Sequence, residues 1–367
     1  MNRPRIAVIG AGHLGRIHTR LLYARTDVEL VGVVEPVAAA REAIAREFSV
    51  TVWPDVADVL GRIDAAIVAT PTHTHRDVAL TLAQHGVHQF VEKPITPTVA
   101  EANEVIDAAH AAGLVLQVGH VERFNPALVA ARPHLGTPRF LEAVRASGYT
   151  FRSTDVGVVL DLMIHDLDVI LSLVPAPVVR VDAVGAKVLG PHEDLAHARL
   201  EFANGCVANL SASRVSFQPQ RTLNVYADRA FAALDFTAGT AKIVRPDERL
   251  LRHELDVHQL PPAEKDRLRQ HLFDDLLKLE ELPVEHRNAI QDEHDDFLSA
   301  IRTGHAPQVT GEDGRYALSV AATIVDKISQ HVWTDDFAHM GGASPTVIRP
   351  PHWPAFSPTS RPTRKAG

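Results

Sequence analysis

Over the first 120 or so residues, hydrophobic positions fall in short unbroken runs separated by amphipathic stretches. Arg5-Ile6-Ala7-Val8-Ile9 is apolar and flanked by turn residues, which predicts a parallel strand buried on both faces. Val28–Val34, Asp64–Ala69, Val87–Val91 and Leu114–Val118 repeat the pattern. Between them Leu14–Arg25, the alanine-rich Ala38–Phe48, Arg76–His85 and Val99–Ala112 read as helices, the last stopped by Gly113. Strand–helix alternation of this kind predicts a doubly wound parallel sheet, α/β in class.

Beyond about residue 137 the period shortens. Arg139–Arg145, Val178–Val188, Ala196–Phe202, Val207–Arg214, Thr222–Ala227 and Phe231–Phe236 show partial two-residue alternation. Asn204-Gly205 between two of them is a hairpin signal. These runs predict an open, mainly antiparallel sheet, an α+β domain interrupted by one helix at Val158–Leu173. Residues 247–287 are charged and His-rich and read as an insertion, helical over Glu264–Leu279. Helices follow at Asn288–Arg302 and Gly311–Gln330, and they can return to the first domain. The expected division is 1–122, a first domain; 123–335, a substrate-binding and oligomerisation sheet domain; and 336–367, a proline-rich tail.

Composition narrows the class. The chain has 367 residues, 46% hydrophobic and 22% charged, the balance of a soluble globular protein. A single cysteine, Cys206, excludes an intramolecular disulfide, fits a cytoplasmic enzyme, and reads as a small buried apolar residue. The 37 basic and 45 acidic residues leave a net charge of −8, which argues against nucleic acid as the partner. No apolar run is long enough for a membrane span, and the N-terminus lacks the form of a secretory signal.

Gly10-Ala11-Gly12-His13-Leu14-Gly15 fits G-x-G-x-x-G between a predicted strand and a predicted helix. Gly10 would permit the turn, Gly12 the approach of a pyrophosphate, and Gly15 close helix–strand packing; helix N–H groups at His13 and Leu14 would face the anion. Glu35 ends the next strand about 20 residues beyond Gly15, where a carboxylate accepts from ribose hydroxyls. It would repel a 2′-phosphate, and Pro36-Val37-Ala38 supplies no arginine, so NAD is expected over NADP.

Two further patterns bear on chemistry. Glu92-Lys93-Pro94 closes the fourth predicted strand, at the sheet edge where ligands bind, although for the tripeptide on its own a surface lysine is the commoner explanation. Asp161 and His165 are four residues apart on one helix face, with Asp168 three further on. Such acids would orient an imidazole and raise its basicity, as removal of a hydroxyl proton requires; a buried structural histidine is the alternative. Thr72-His73-Thr74-His75 and His165-Asp166-Leu167-Asp168 could be drawn as a metal site, but no closed set of three ligands is visible and none is expected.

With these motifs in this order, residues 5–330 resemble the glucose–fructose oxidoreductase / inositol dehydrogenase / MocA superfamily. The resemblance implies a Rossmann domain followed by an open-sheet domain. It implies His165 as acid/base, Lys93 as hydrogen-bond donor to the reacting hydroxyl and Asp161 as their orienting carboxylate. Thr70-Pro71-Thr72 with His75 looks like the family's loop beside the cofactor, and Arg123-Phe124-Asn125-Pro126 like its crossover segment. Glu92, Lys93 and Arg123 would then also border the cofactor. Val118–Pro126 and Asp155–Asp161 look most like the branch that oxidises the 3-hydroxyl of UDP-N-acetylglucosamine, whose keto product an aminotransferase can take. For that substrate Arg123, Arg152 and Arg214 are candidate diphosphate donors and Tyr149 or Phe151 candidate stacking residues, beside Asp161 and His165. A free sugar or inositol is the runner-up substrate. An imine-reducing relative and a non-catalytic NAD sensor are the rival functions, and the intact Lys93, Asp161 and His165 argue against both. An open sheet needs cover, so a homodimer or homotetramer is expected.

Overall fold

A computed structural model describes residues 3–151 and 156–331. Its first sheet has six parallel strands, β1 Arg5–Ile9, β2 Glu29–Val34, β3 Val52–Trp53, β4 Ala65–Val68, β5 His88–Glu92 and β6 Leu116–Gly119. Their order is β3-β2-β1-β4-β5-β6, so the winding reverses between β1 and β4. That reversal opens a crevice at the carboxyl ends of these strands. The strands are mainly apolar because helices cover both faces; Val8, Ala66 and Val91 are fully buried. Helices run over His13–Tyr23, Ala38–Phe48, His75–Gln84 and Val99–Ala111. Thr98 and Glu101 form a reciprocal capping box at the start of the last. Gly113 follows its end at φ +64°, a conformation glycine adopts without strain. The two-residue β3 is an addition to the five predicted strands, too short to show a period.

The second sheet has eight strands: β7 Pro138–Ala146, β8 Val178–Ala186, β9 Leu195–Phe202, β10 Val207–Ser213, β11 Gln220–Ala227, β12 Phe231–Asp235, β13 Thr240–Pro246 and β14 Leu277–Glu281. Their order is β14-β13-β12-β11-β7-β10-β9-β8. β7 and β10 pair in parallel and the other neighbours antiparallel. Asn204-Gly205 turns β9 into β10 with Gly205 at φ +82°. Alternate residues, among them Leu141, Ala143, Leu223 and Val225, point to the core beneath the helix Ile164–Leu173.

The insertion departs from expectation. Its helix covers Pro262–Gln270, a wide turn follows at Leu272–Leu276, and Leu277–Glu281 is the edge strand β14 rather than the end of a helix. Val244 opposite Leu279 and Lys242 opposite Glu281 supply the pairing that overrides the helix-forming character of Leu, Lys and Glu. Ala289–Thr303 packs back on the first sheet, with Phe297 edge-to-face on Phe90 at 5.9 Å. Gly311–Gln330 starts against β6, where added methyl groups at Gly311 and Gly314 would each come within 2.7 Å of a side chain of Leu116 or Val118. Its Val320, Ala321 and Ile324 join the core of the second sheet. Both sheets belong to one unit spanning Met1–Ile328. Among the described residues no helix is long and apolar enough to cross a membrane.

Candidate active site

The glycine turn closes the carboxyl end of β1. Gly10 has φ +103°, and a Cβ on it would meet the Ala69 carbonyl oxygen at 2.5 Å. A Cβ on Gly15 would fall 2.0 Å from the Gly10 carbonyl oxygen. Gly12 differs: nothing lies within 4 Å of its Cβ position, which borders a cleft of about 930 Å³. The helix from His13 has no side-chain cap at Gly12, and His13 and Leu14 both line the cleft. An open glycine followed by free N–H groups suits a diphosphate.

Glu35, at the end of β2, lies in the cleft wall; Oε2 accepts from the Ala11 N–H and Oε1 from the Val37 N–H, both at 2.9 Å. The carboxylate is thus fixed beside the turn. Arg41 donates to the carbonyls of Glu35 and Pro36 at 2.7 and 3.0 Å, so its guanidinium is already engaged. Thr70 and Pro71 line the cleft too. His75 stands behind them, buried between the Pro94 and Thr70 carbonyls at 3.0 and 2.9 Å. Burial pushes its imidazole below the ordinary range despite those carbonyls, so it ties the Thr70 loop to the Lys93–Pro94 segment.

Glu92 and Lys93 follow β5 into the same cleft, and the Lys93–Pro94 peptide is cis. Lys93 Nζ donates to the Asp161 carbonyl at 2.7 Å and lies 3.9 Å from the Asp161 carboxylate. Burial pushes this ammonium down, with Asp161 and Glu92 opposing. Asp161 sits in a widened turn, Val159–Met163, that leads into the helix Ile164–Leu173. His165, on the first turn of that helix, lines the cleft with Lys93. Its Nδ1 is buried and unbonded. Burial holds the imidazole well below its usual range, and the charges of Lys93, Arg145, His120 and Arg221 push the same way.

Two expectations need correction here. Asp161 makes no hydrogen bond to His165, because the widened turn breaks regular helical spacing and gives Asp161 to Lys93. Asp168 does not join His165 either; both its oxygens accept from Arg123, at 2.7 and 2.9 Å. Arg123 is correspondingly buried and outside the cleft lining.

The far wall comes from the second sheet. Arg145 is buried, donating to Asp166 at 2.8 and 3.0 Å and to Glu122 at 2.8 Å. Burial works against the guanidinium, but the two carboxylates more than offset it and hold it above the usual arginine range. Arg214 lines the cleft while donating to Asp194 and to the Val156 carbonyl, both at 2.8 Å. Its guanidinium lies 5.5 Å from the Tyr149 ring, which also lines the cleft. Phe151 packs edge-on to Tyr149 at 5.0 Å but is 84% exposed and off the lining. Arg152 lies outside the described residues.

Several residues at the site carry no local sequence signal. His120 is buried with neither ring nitrogen bonded, and burial beside Lys93 and Arg123 pushes it down. His18 bonds Glu92 at 2.8 Å and His294 at 2.7 Å, linking the Glu92-Lys93 segment to a C-terminal helix. Among the described residues no cluster of three His, Cys, Asp or Glu is placed to hold a metal. Cys206 is buried at its hairpin, which pushes its thiol up.

A parallel sheet with a glycine turn, an acid at the end of β2 and a Lys/His cleft defines a dinucleotide-dependent oxidoreductase. Residues 4–120 match the model of the oxidoreductase family with an NAD-binding Rossmann fold, and residues 128–233 that of the GFO/IDH/MocA C-terminal domain. The chain belongs to this family, and NAD is its cofactor. It is 36% identical over 325 residues to a UDP-N-acetylglucosamine 3-dehydrogenase of Acidithiobacillus ferrooxidans, covering 88% of this chain and 97% of that one. A solved structure of that enzyme superposes with a TM-score of 0.78 at 34% identity, over 89% of this chain and 98% of the other. A Bacillus subtilis scyllo-inositol 2-dehydrogenase (NAD(+)) is 31% identical over 234 residues, 59% of this chain and 68% of the relative.

Proposed function

We propose that the protein oxidises a secondary hydroxyl of a sugar, and that the sugar is UDP-N-acetylglucosamine, oxidised at its 3-hydroxyl to the 3-keto product. The observation that carries the chemistry is that His165 and Lys93 together line the cleft that begins at Gly12. Lys93 donates to the substrate hydroxyl and favours its alkoxide. His165 takes the proton on Nε2, its Nδ1 being buried. Asp161 holds Lys93 through its carbonyl and carboxylate. When bound, NAD supplies the hydride acceptor at nicotinamide C4. Glu35, already fixed at the turn, accepts from the ribose hydroxyls and repels a 2′-phosphate, which selects NAD over NADP.

The 36% relative, aligned over nearly its whole length, supports the substrate. The inositol dehydrogenase, aligned over 59% of this chain, keeps a free polyol as the second reading. A keto product fits consumption by an aminotransferase. The outer face of the second sheet carries Phe140, Tyr226 and Phe231 in a ring stack at 5.5 and 4.7 Å, which supports burial between copies of the chain as a dimer or tetramer. The test is a panel of UDP-N-acetylglucosamine, UDP-glucose, N-acetylglucosamine and myo-inositol with NAD, following NADH, with an aminotransferase and glutamate to draw off the ketone. Turnover confined to UDP-N-acetylglucosamine is expected; turnover of inositol with none of a UDP-sugar overturns the assignment.

A further inference from the structure

Three arginines among the described residues line the cleft: Arg145, Arg214 and Arg221. Arg145 is held by Glu122 and Asp166, and Arg214 by Asp194 and the Val156 carbonyl. The Arg221 side chain is exposed and, among the described residues, makes no hydrogen bond or ion pair. Its place in the sheet makes this notable. It sits on β11 directly opposite Arg145 of β7, on the face that Leu223 and Val225 turn to the core. Like charges directly opposite each other across strands repel. The two carboxylates nearby, Glu122 and Asp166, are hydrogen-bonded to Arg145, and neither forms an ion pair with Arg221.

We propose that Arg221 is the anion-recognition residue of the substrate half of the cleft, binding the diphosphate of a nucleotide-sugar substrate. The inference rests on the nucleotide-sugar reading above and adds the residue that separates such a substrate from a neutral polyol. A guanidinium presents paired N–H donors that match phosphate oxygens. The cofactor's own diphosphate has the glycine turn on the first sheet, whereas Arg221 stands on the second, where a substrate must enter. Arg221 and His165 line the same cleft, so a ligand held by one lies in the space the other borders.

The test is UDP binding to the NAD-loaded enzyme by calorimetry, for wild type, R221K, R221Q and the distant R269Q. R221Q should weaken UDP roughly 10- to 100-fold, the value of one hydrogen bond between charged groups. R221K should recover part of that loss, R269Q should bind UDP as wild type does, and NAD affinity should stay at wild type throughout. Added salt should weaken UDP in wild type more than in R221Q. Wild-type UDP affinity in R221Q, with NAD affinity intact, overturns the role of Arg221 and leaves the nucleotide-sugar reading standing. Failure of wild type itself to bind UDP or turn over a UDP-sugar overturns both.

Discussion

Gly12 and Gly15 stand three residues apart in one motif, yet the structure predicts opposite consequences for the same added methyl group. At Gly12 a Cβ meets no protein atom within 4 Å, and the backbone, at φ −68° and ψ −168°, is open to any residue. Gly12→Ala should therefore fold, losing no more than about 1 kcal/mol for alanine at a helix N-cap. The methyl group would stand where a diphosphate must approach the helix N–H groups. Loss of one hydrogen bond to a charged group, about 1.5–3 kcal/mol, corresponds to roughly 10- to 150-fold weaker NAD binding. At Gly15 the Cβ would fall 2.0 Å from the Gly10 carbonyl oxygen, and backbone on both sides must move. Gly15→Ala should destabilise by about 1–3 kcal/mol or more through overpacking. Calorimetric NAD titration and denaturant unfolding on both variants separate these effects. Wild-type NAD affinity in Gly12→Ala, or a fully stable Gly15→Ala, would refute the assignment of one glycine to ligand space and the other to packing.

Other perturbations probe the rest of the site. His165→Ala and Lys93→Ala should each lower kcat on the order of 10²-fold or more with NAD affinity near wild type; unchanged turnover in either variant removes its role. With the neutral imidazole of His165 as the proposed base, the acid limb of kcat/KM should lie below about pH 6.5, the ordinary histidine value, and a limb above it contradicts the environment of His165. Glu35→Ala should raise the KM for NAD and relax discrimination against NADP, whereas comparable efficiency of both cofactors in the wild type would defeat that reasoning. Arg145→Met strands Glu122 and Asp166 in the interior and should cost about 3–5 kcal/mol near neutral pH. Unpaired buried carboxylates have raised folded-state pKa values, so the stability they retain at low pH is lost as pH rises. The deficit should accordingly shrink on acidification, and a pH-independent loss in denaturant melts would exclude stranded charge as its cause.

The first sheet was legible because its strands are continuous apolar runs and its helices carry clear ends. The helix Ala38–Phe48 has the predicted limits, and Gly113 stops its helix as expected. What escaped depends on partners distant in sequence. β3 is two residues held beside β2, and β14 is a strand only because β13 lies next to it. At the site, spacing pointed to Asp161 and Asp168 as partners of His165. The ion pair Arg123–Asp168 joins residues 45 apart and Arg145–Asp166 residues 21 apart, and no local pattern announces either. Arg221 escaped for a narrower reason. The alternation was read from Thr222, but the strand begins at Gln220, which puts Arg221 on the inward face.

The charge pattern around His165 explains why its missing carboxylate partner matters. An acid bonded to Nδ1 would stabilise the imidazolium and raise the basicity of the ring. Here Nδ1 is bare, and burial with Lys93, Arg145 and Arg221 nearby disfavours a further positive charge. Such an imidazole is a weak base, so it needs an acidic hydroxyl. In the proposed reaction the same Lys93 that weakens the base would supply this, since its ammonium would stabilise the negative charge that develops on the substrate oxygen. Asp161 completes the balance by holding Lys93 rather than His165. In the proposed reaction one cation thus lowers the proton affinity of the imidazole and of the substrate oxygen alike.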